Sequence, residues 1–375
     1  MSSPTVSFVV PCYNLAHLLG NCVSSILSQT YRQFEILILD DSSPDNTPEV
    51  ARSFQDPRVC HVRNEKNLGH LQNYNHGIGL ARGKYIWLIS ADDRLRRPYI
   101  LERYIKVMDK HPKIGYACCP AISLDNREEA HLEGSISSRN MIFSGKAFAR
   151  RLLKQGNFVI AASGMVRREC YEKLGAFPVD LPYAGDWYLW CLYALHHDVA
   201  YFSEPMVNYR QHDLSMTNQL TGERFATRFR DGLAVLWRIR HEAESLGYED
   251  LVRLCRHRIA YQYAHNILGR KLGESTFSIS VEEFESSLRK NTSDDLEANI
   301  IRARTWEIVA DGWFRRREFA RAQRYYALGR TYDGSRMTVP AKQLLLALGA
   351  AHLVVDFKDK VVEMRQAAMS RRSHQ

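Results

Sequence analysis

VSFVVPCYNLAHLLGNCVSSILSQTYRQFEILILDD, residues 6–41, decides the fold. It opens on Val6 to Val10, a short β-branched apolar run, and closes on FEILILD, Phe34 to Asp40, with the same texture. Such runs predict strands buried on both faces. Between them, Leu15 to Gln29 places apolar residues at helical spacing. The alternation then repeats. PEVARSFQ predicts a helix, RVCHVRN a strand, LQNYNHGIGLAR a helix, and KYIWLIS (84–90) a fourth strand. A βαβαβαβ order with short connections requires a mostly parallel sheet covered by helices. In such sheets ligands bind beyond the carboxyl ends of the strands.

Downstream, a helix is expected over Ile100 to Lys110, a strand in YACCPAIS, and a helix over Gly145 to Gln155. NFVIAASGMVRREC predicts a strand followed by a helix start. Leu181 to His197 predicts a loop running into an aromatic-rich helix, and Val199 to Thr217 two short strands and a polar turn. The texture changes near 218–222 and is helical from Arg224 onward. The expected organisation is a domain over 1–220, with halves 1–110 and 111–220, followed by a helical domain over 221–375. Trp306 to Arg330 resembles one tetratricopeptide hairpin, and one copy is not a repeat array.

Composition narrows the class. A chain of 375 residues that is 45% hydrophobic and 25% charged is globular rather than disordered or fibrous. No secretory leader pattern and no apolar run of spanning length is seen. The cysteines are Cys12, Cys22, Cys60, Cys118, Cys119, Cys170, Cys191 and Cys255, with no CxxC pair. That spacing points to reduced thiols in a cytoplasmic protein, not to zinc or a disulfide framework.

The strand ends carry the chemistry. PCYN follows the first strand, and Asp40 and Asp41 with SSPDNT behind them close the second. NEKNLG follows the third and SADD the fourth. No GxGxxG follows the first strand and no GxxxxGK[ST] occurs, so the usual glycine-rich phosphate cradles are absent. Two acid pairs stand out: Asp40 and Asp41 after one strand, Asp92 and Asp93 after another. Clustered carboxylates repel unless a cation or hydrogen-bonding ligand offsets their charge. A hard divalent ion bridging a diphosphate does so. Asp40 and Asp41 could instead accept from a base or ribose. Acidic residues after strands also serve as turn formers and helix caps, which suits Asp45 and Asn46.

VSFVVPCYN, SSILSQTYRQFEILILDD with the adjoining SSPDNT, and NLGHLQNYNHGIGLARGKYIWLISADD resemble, in order and spacing, the nucleotide-binding half of a family 2 glycosyltransferase with the GT-A fold. The likeness is strong over roughly 5–110 and weaker to about 217. It implies that Pro11, Tyr13 and Asn14 line the nucleoside pocket, with Tyr13 against the base. It implies that Asp41 accepts from the base and that Asp40 supports the same loop. Asn67 and Gly69 match the N-x-G turn beside the nucleotide. Asp92 and Asp93 match the DxD region, with Asp93 binding Mn²⁺ or Mg²⁺ and Asp92 contacting ribose or donor sugar. Ser90 stands where the commoner D-A-D-D form has its first acid, which leaves the ion more weakly held.

In the second half, the resemblance makes Asp186 of AGDWYLWC the general base on the acceptor hydroxyl. A carboxylate that takes the hydroxyl proton as the bond forms lowers the barrier. An Asp before a helix is also a good N-cap, and the two functions are compatible. In YRQHDLSMT, the resemblance offers His212 as a third metal ligand or phosphate contact and Arg210 as a neutraliser of leaving-group charge. The implied enzyme inverts configuration while moving a sugar from a nucleoside diphosphate to a glycan or lipid-linked acceptor, in polysaccharide, O-antigen or capsule assembly. Family habit favours uracil. The alternative is a catalytically inactive scaffold with the same fold.

Nearly all of the net charge of +9 sits in the tail: residues 301–375 hold 15 Lys and Arg against 7 Asp and Glu, or +8. Leu344 to Val355 is apolar and is followed by Lys358, Lys360, Arg365, Arg371 and Arg372. The stretch 335–375 therefore reads either as an anchor on an acidic membrane surface or as a packed helix or homo-oligomer interface. No nucleic-acid reader motif is present, so a nucleic-acid partner is not expected.

Overall fold

A computed structural model of the chain describes residues 3–124, 130–211, 225–272 and 275–332. The first strand, β1 (Val6–Cys12), is buried along its whole length, as its unbroken apolar run requires. It pairs in parallel with β2 (Phe34–Asp40) on one side and β4 (Tyr85–Leu88) on the other; β2 pairs in parallel with β3 (Val59–Arg63). The crossovers are α1 (Ala16–Leu27), α2 (Thr47–Ser53) and α3 (His70–Leu80). After the short β5 (Arg94–Leu95) come α4 (Ile100–Lys110) and β6 (Ile114–Cys118). β7 (Ala121–Leu124), β8 (Ala130–Glu133), β9 (Met141–Phe143) and α5 (Gly145–Gln155) follow. Then come β10 (Met165–Arg167), α6 (Arg168–Leu174), α7 (Gly185–His196), β11 (Asp198–Tyr201) and β12 (Val207–Arg210).

The central sheet has eight strands in the order β3-β2-β1-β4-β10-β6-β11-β9. β10 is antiparallel to both of its neighbours, β4 and β6, and so separates the parallel β3-β2-β1-β4 half from the second half. A smaller sheet, β5-β12-β7-β8, stands beside it. Its existence explains a difference from the single strand expected in YACCPAIS. Cys119 and Pro120 interrupt the run, so β6 joins the large sheet and β7 the small one. Proline cannot donate to a ladder, which makes it a natural place to change sheets.

One face of the large sheet carries a column of rings. Phe8 stacks on Trp87 (centroids 5.5 Å), Trp87 on Tyr104 (4.9 Å) and Tyr104 on Phe202 (4.6 Å). These four side chains are buried and tie β1, β4 and α4 into one core. All eight cysteines are free thiols, and only Cys60 on β3 is exposed. Burial pushes the Cys12 thiol up to about 12 and Cys119 up to about 11.

Contacts divide the chain into two units, residues 1–254 and 255–375. The first therefore extends past residue 220 to include α8 (Phe225–Ser245) and the start of α9 (Glu249–Ile267). The second contains the rest of α9, the hairpin β13 (Arg270–Leu272) with β14 (Ser275–Phe277), and three helices. These are α10 (Val281–Asn291), α11 (Asp295–Arg315) and α12 (Phe319–Tyr332). Its core runs from Tyr263 through Phe284 and Trp306 to Tyr325. α11 and α12 form the helical hairpin predicted over 306–330. The basic stretch 335–375 lies outside the described residues. Among the described residues no helix is long and apolar enough to cross a membrane.

Candidate active site

The carboxyl ends of β1, β2 and β4 meet at one edge of the sheet. The Asp41 N–H donates to the Cys12 carbonyl (2.9 Å) and the Ala91 N–H to the Pro11 carbonyl (3.1 Å), so the loops after the three strands are stitched together. Pro11 is buried there, while Tyr13 projects with 49% of its surface exposed. Asn14 adopts a left-handed backbone (φ 56°), and its N–H donates to Ser43 Oγ (3.2 Å).

The two adjacent acids after β2 do different work. Asp40 is fully buried; Ser43 N–H donates to its Oδ1 (2.8 Å) and Arg63 Nη1 to its Oδ2 (2.6 Å). It holds the loop from Ser42 to Asp45. Asp41 gathers the next strand end: Asn64 Nδ2 and the Leu68 N–H donate to Oδ1 (both 2.8 Å), and the Gly69 N–H to Oδ2 (3.0 Å). The Gly69 N–H also reaches Asn67 Oδ1 (2.9 Å). Gly69 caps α3 at φ 80°, a left-handed conformation that glycine adopts without the penalty other residues carry. A carboxylate offers about four acceptor sites, so three protein donors leave Asp41 room for one ligand donor.

Asp93 lies in the SADD turn after β4, 5% exposed, and its Oδ1 accepts from the Arg210 backbone N–H (2.9 Å). β12, carrying Arg210, is thereby fixed over the turn. Burial, and then the charge of Asp92, push the Asp93 carboxyl well above the ordinary range. Arg210 Nε is buried with no hydrogen-bond partner among the described residues.

Asp186 occupies the first turn of α7. Asn157 Nδ2 donates to its Oδ2 (2.8 Å) and the Trp187 N–H to its Oδ1 (2.7 Å). Burial raises its carboxyl to about 6, and these two donors hold it from rising further.

Helix α3 links these groups. The Tyr74 phenol is raised first by burial and then by the charges of Asp92, Asp186 and Asp93, so all three acids lie within electrostatic reach of one ring. One turn earlier His70 packs edge-on against Tyr74 (5.6 Å) and feels Asp41. His70 Nε2 meets the Pro182 carbonyl (3.0 Å), and Asn75 pairs with the Phe177 backbone through both its Nδ2 (2.8 Å) and Oδ1 (2.9 Å). The acids after β2 and β4 and the acid of α7 thus gather around the start of α3.

Tyr74, His70 and Asn157 escaped the sequence reading. An aromatic pair at i, i+4 in a helix that starts at a strand end was the available signal for the first two. Asn157 had none, because its partner lies 29 residues away. His212 falls outside the described residues. Among those described, no group of three or more His, Cys, Asp or Glu is gathered to hold a metal ion.

The sequence pattern of glycosyl transferase family 2 matches residues 7–175. The match covers just under half of the chain and likens this segment to the family 2 glycosyl transferases. Glycosyltransferase GlyG of Streptococcus pneumoniae is 40% identical over 110 residues, 29% of this chain and 36% of that protein. Succinoglycan biosynthesis protein ExoO of Rhizobium meliloti is 35% identical over 131 residues, 35% of each chain. The chain spans from about a seventh to about two thirds of the length of the curated relatives it matches. Among solved structures, TarS residues 1–349 of S. aureus superposes with a TM-score of 0.57 over 88% of this chain and 91% of that one, at 14% identity. That likeness establishes the fold: a GT-A-type sheet followed by a helical region.

Proposed function

We propose that the protein is an inverting glycosyltransferase that moves a sugar from a nucleoside diphosphate, UDP in the first instance, to a hydroxyl of a glycan or lipid-linked acceptor. This reading is supported by Asp186, its carboxyl near 6, lying with Asp92 and Asp93 within electrostatic reach of the Tyr74 ring. Support for UDP comes from TarS, whose structures include complexes with UDP and UDP-GlcNAc. Support for polysaccharide assembly comes from the likeness to ExoO.

In this reading Tyr13, Asn14 and Asp41 receive the nucleoside. The Asn67–Gly69 turn flanks it, while Asp92 meets ribose or sugar. Asp186 takes the proton of the acceptor hydroxyl as its oxygen attacks the anomeric carbon. The bond to the diphosphate breaks on the opposite face, and the nucleoside diphosphate departs with the bonding electron pair. One displacement inverts the centre. Arg210 adds positive charge beside the departing phosphates. The hard oxygen donors of Asp92 and Asp93 fit Mn²⁺ or Mg²⁺, since a divalent ion would offset both the burial and the Asp92 charge that raise Asp93. Such an ion, held by Asp92 and Asp93, would supply charge neutralisation at the leaving group. The basic apolar stretch 335–375 supports attachment to an anionic membrane surface.

Calorimetry with UDP, with and without Mn²⁺, tests the donor site. UDP release from UDP-Glc, UDP-Gal and UDP-GlcNAc tests turnover. Binding is expected to require the acids after β2 and β4, and Asp186→Asn to lose about 10²-fold or more in turnover with UDP affinity retained. Nucleotide binding by the wild type with no release from any donor would favour the inactive scaffold instead.

A further inference from the structure

The family match ends at residue 175, yet the Asp186 helix is gripped by α8, which lies wholly beyond it. Asp231 of α8 is 5% exposed. Its Oδ2 accepts from the backbone N–H groups of Tyr183 (2.7 Å) and Ala184 (3.2 Å), the two residues before Gly185 opens α7. Ala184, at the N-cap position, supplies no side-chain cap of its own. The grip continues along the helix. Arg228 lies over the Tyr183 ring (5.2 Å), Arg238 pairs with Asp180 and lies over the Tyr188 ring (5.7 Å), and Glu242 meets His196 Nε2 (2.7 Å). The two helices run side by side in the same direction, with Asp231 at the end nearest Asp186.

We infer that Asp231 is a positioning residue for the general base: it anchors the backbone at 183–184 so that the Asp186 carboxylate keeps its aim and stays within reach of Asn157. This rests on the reading of Asp186 as base. The physics is one of leverage. Asp186 is two residues past the anchored peptide, and its two donors, Asn157 Nδ2 and the Trp187 N–H, hold it only while the first turn keeps its place. A buried carboxylate is costly unless hydrogen-bonded, and Asp231 spends both bonds on this one segment. Releasing the segment loosens the donors that favour the ionised base, so the base becomes harder to ionise and less well aimed.

The test uses the full chain with Asp231→Ala, Asp231→Asn and Asp186→Asn, reading UDP release from the best UDP-hexose, its pH profile and UDP affinity. For Asp231→Ala a loss of about 10-fold or more in kcat is expected, since small misplacements of catalytic groups are expensive. UDP affinity should stay within about threefold of wild type, and the acid limb should move to higher pH. Asp231→Asn keeps an acceptor oxygen and should recover most of the rate. A merely structural contact would lower Tm yet leave the acid limb in place. The inference is overturned if Asp231→Ala keeps both kcat and acid limb, if its kcat and UDP affinity fall together, or if Asp231→Asn is as damaged as Asp231→Ala. If Asp186→Asn turns over like wild type, it is the general-base reading that fails.

Discussion

At the scale of single residues, the site depends on carboxylates whose surroundings differ. Asp40 and Asp41 are adjacent, yet one braces a loop and the other organises a helix start. Asp186 is raised to about 6, so pH acts on it close to neutrality. Its neighbours are Asn157, the Trp187 N–H and the phenols of Tyr74 and Tyr183. The rate should fall on the acid side with a midpoint near the value of about 6. Asn157→Ala removes a donor to the ionised form, so a pH–rate profile should show that midpoint moving upward. Stability runs the other way. The folded state binds the Asp186 proton more tightly than the unfolded chain does, so its stabilising contribution is complete below about pH 4 and lost as pH rises through about 6. Asp186→Asn should thus stabilise the fold by about 1–3 kcal/mol at pH 7.5 in urea unfolding, a gain that shrinks at pH 4.

At the scale of elements, close approach of backbone matters most where α5 begins against the end of α7. A Cβ on Gly145 would sit 2.0 Å from the His197 carbonyl oxygen and 2.1 Å from that of Ala194. Gly145→Ala must therefore push the two helices apart. We expect a cost of about 1–3 kcal/mol or more, measured by thermal unfolding, together with a loss of turnover because α7 carries Asp186. The elements themselves were largely legible in the sequence. VSFVV, FEILILD and KYIWLIS announce buried parallel strands by unbroken apolar texture, and α4 and α5 fall where their helical spacing put them. The antiparallel insertion of β10 was not legible, because three residues, Met165 to Arg167, carry no signal of direction. The seam between α3 and the 177–182 loop was likewise hidden, since its hydrogen bonds span more than 100 residues of chain. Strand ends rich in Asp and Asn could be read as a site; the tertiary bonds that aim each side chain could not.

At the scale of the whole molecule, charge is unevenly spread, with the excess of basic residues in 301–375. Removing 335–375 should move the protein from membrane to soluble fractions while donor hydrolysis persists, and unchanged partitioning would refute the anchor. The division of contacts between Leu254 and Cys255 leaves the whole candidate site, with α8 behind it, in the first unit. The distribution of thiols has a practical consequence. Seven sulfurs are shut inside, and those of Cys12, Cys22, Cys118, Cys119 and Cys170 are also disfavoured as thiolates by burial. A maleimide dye added to the native protein would accordingly attach at one place, Cys60 on the outermost strand. Cys60 stands between Val59 and His61, whose ring meets Asp40, so a dye there gives an optical test of whether UDP reaches the Asp40 loop.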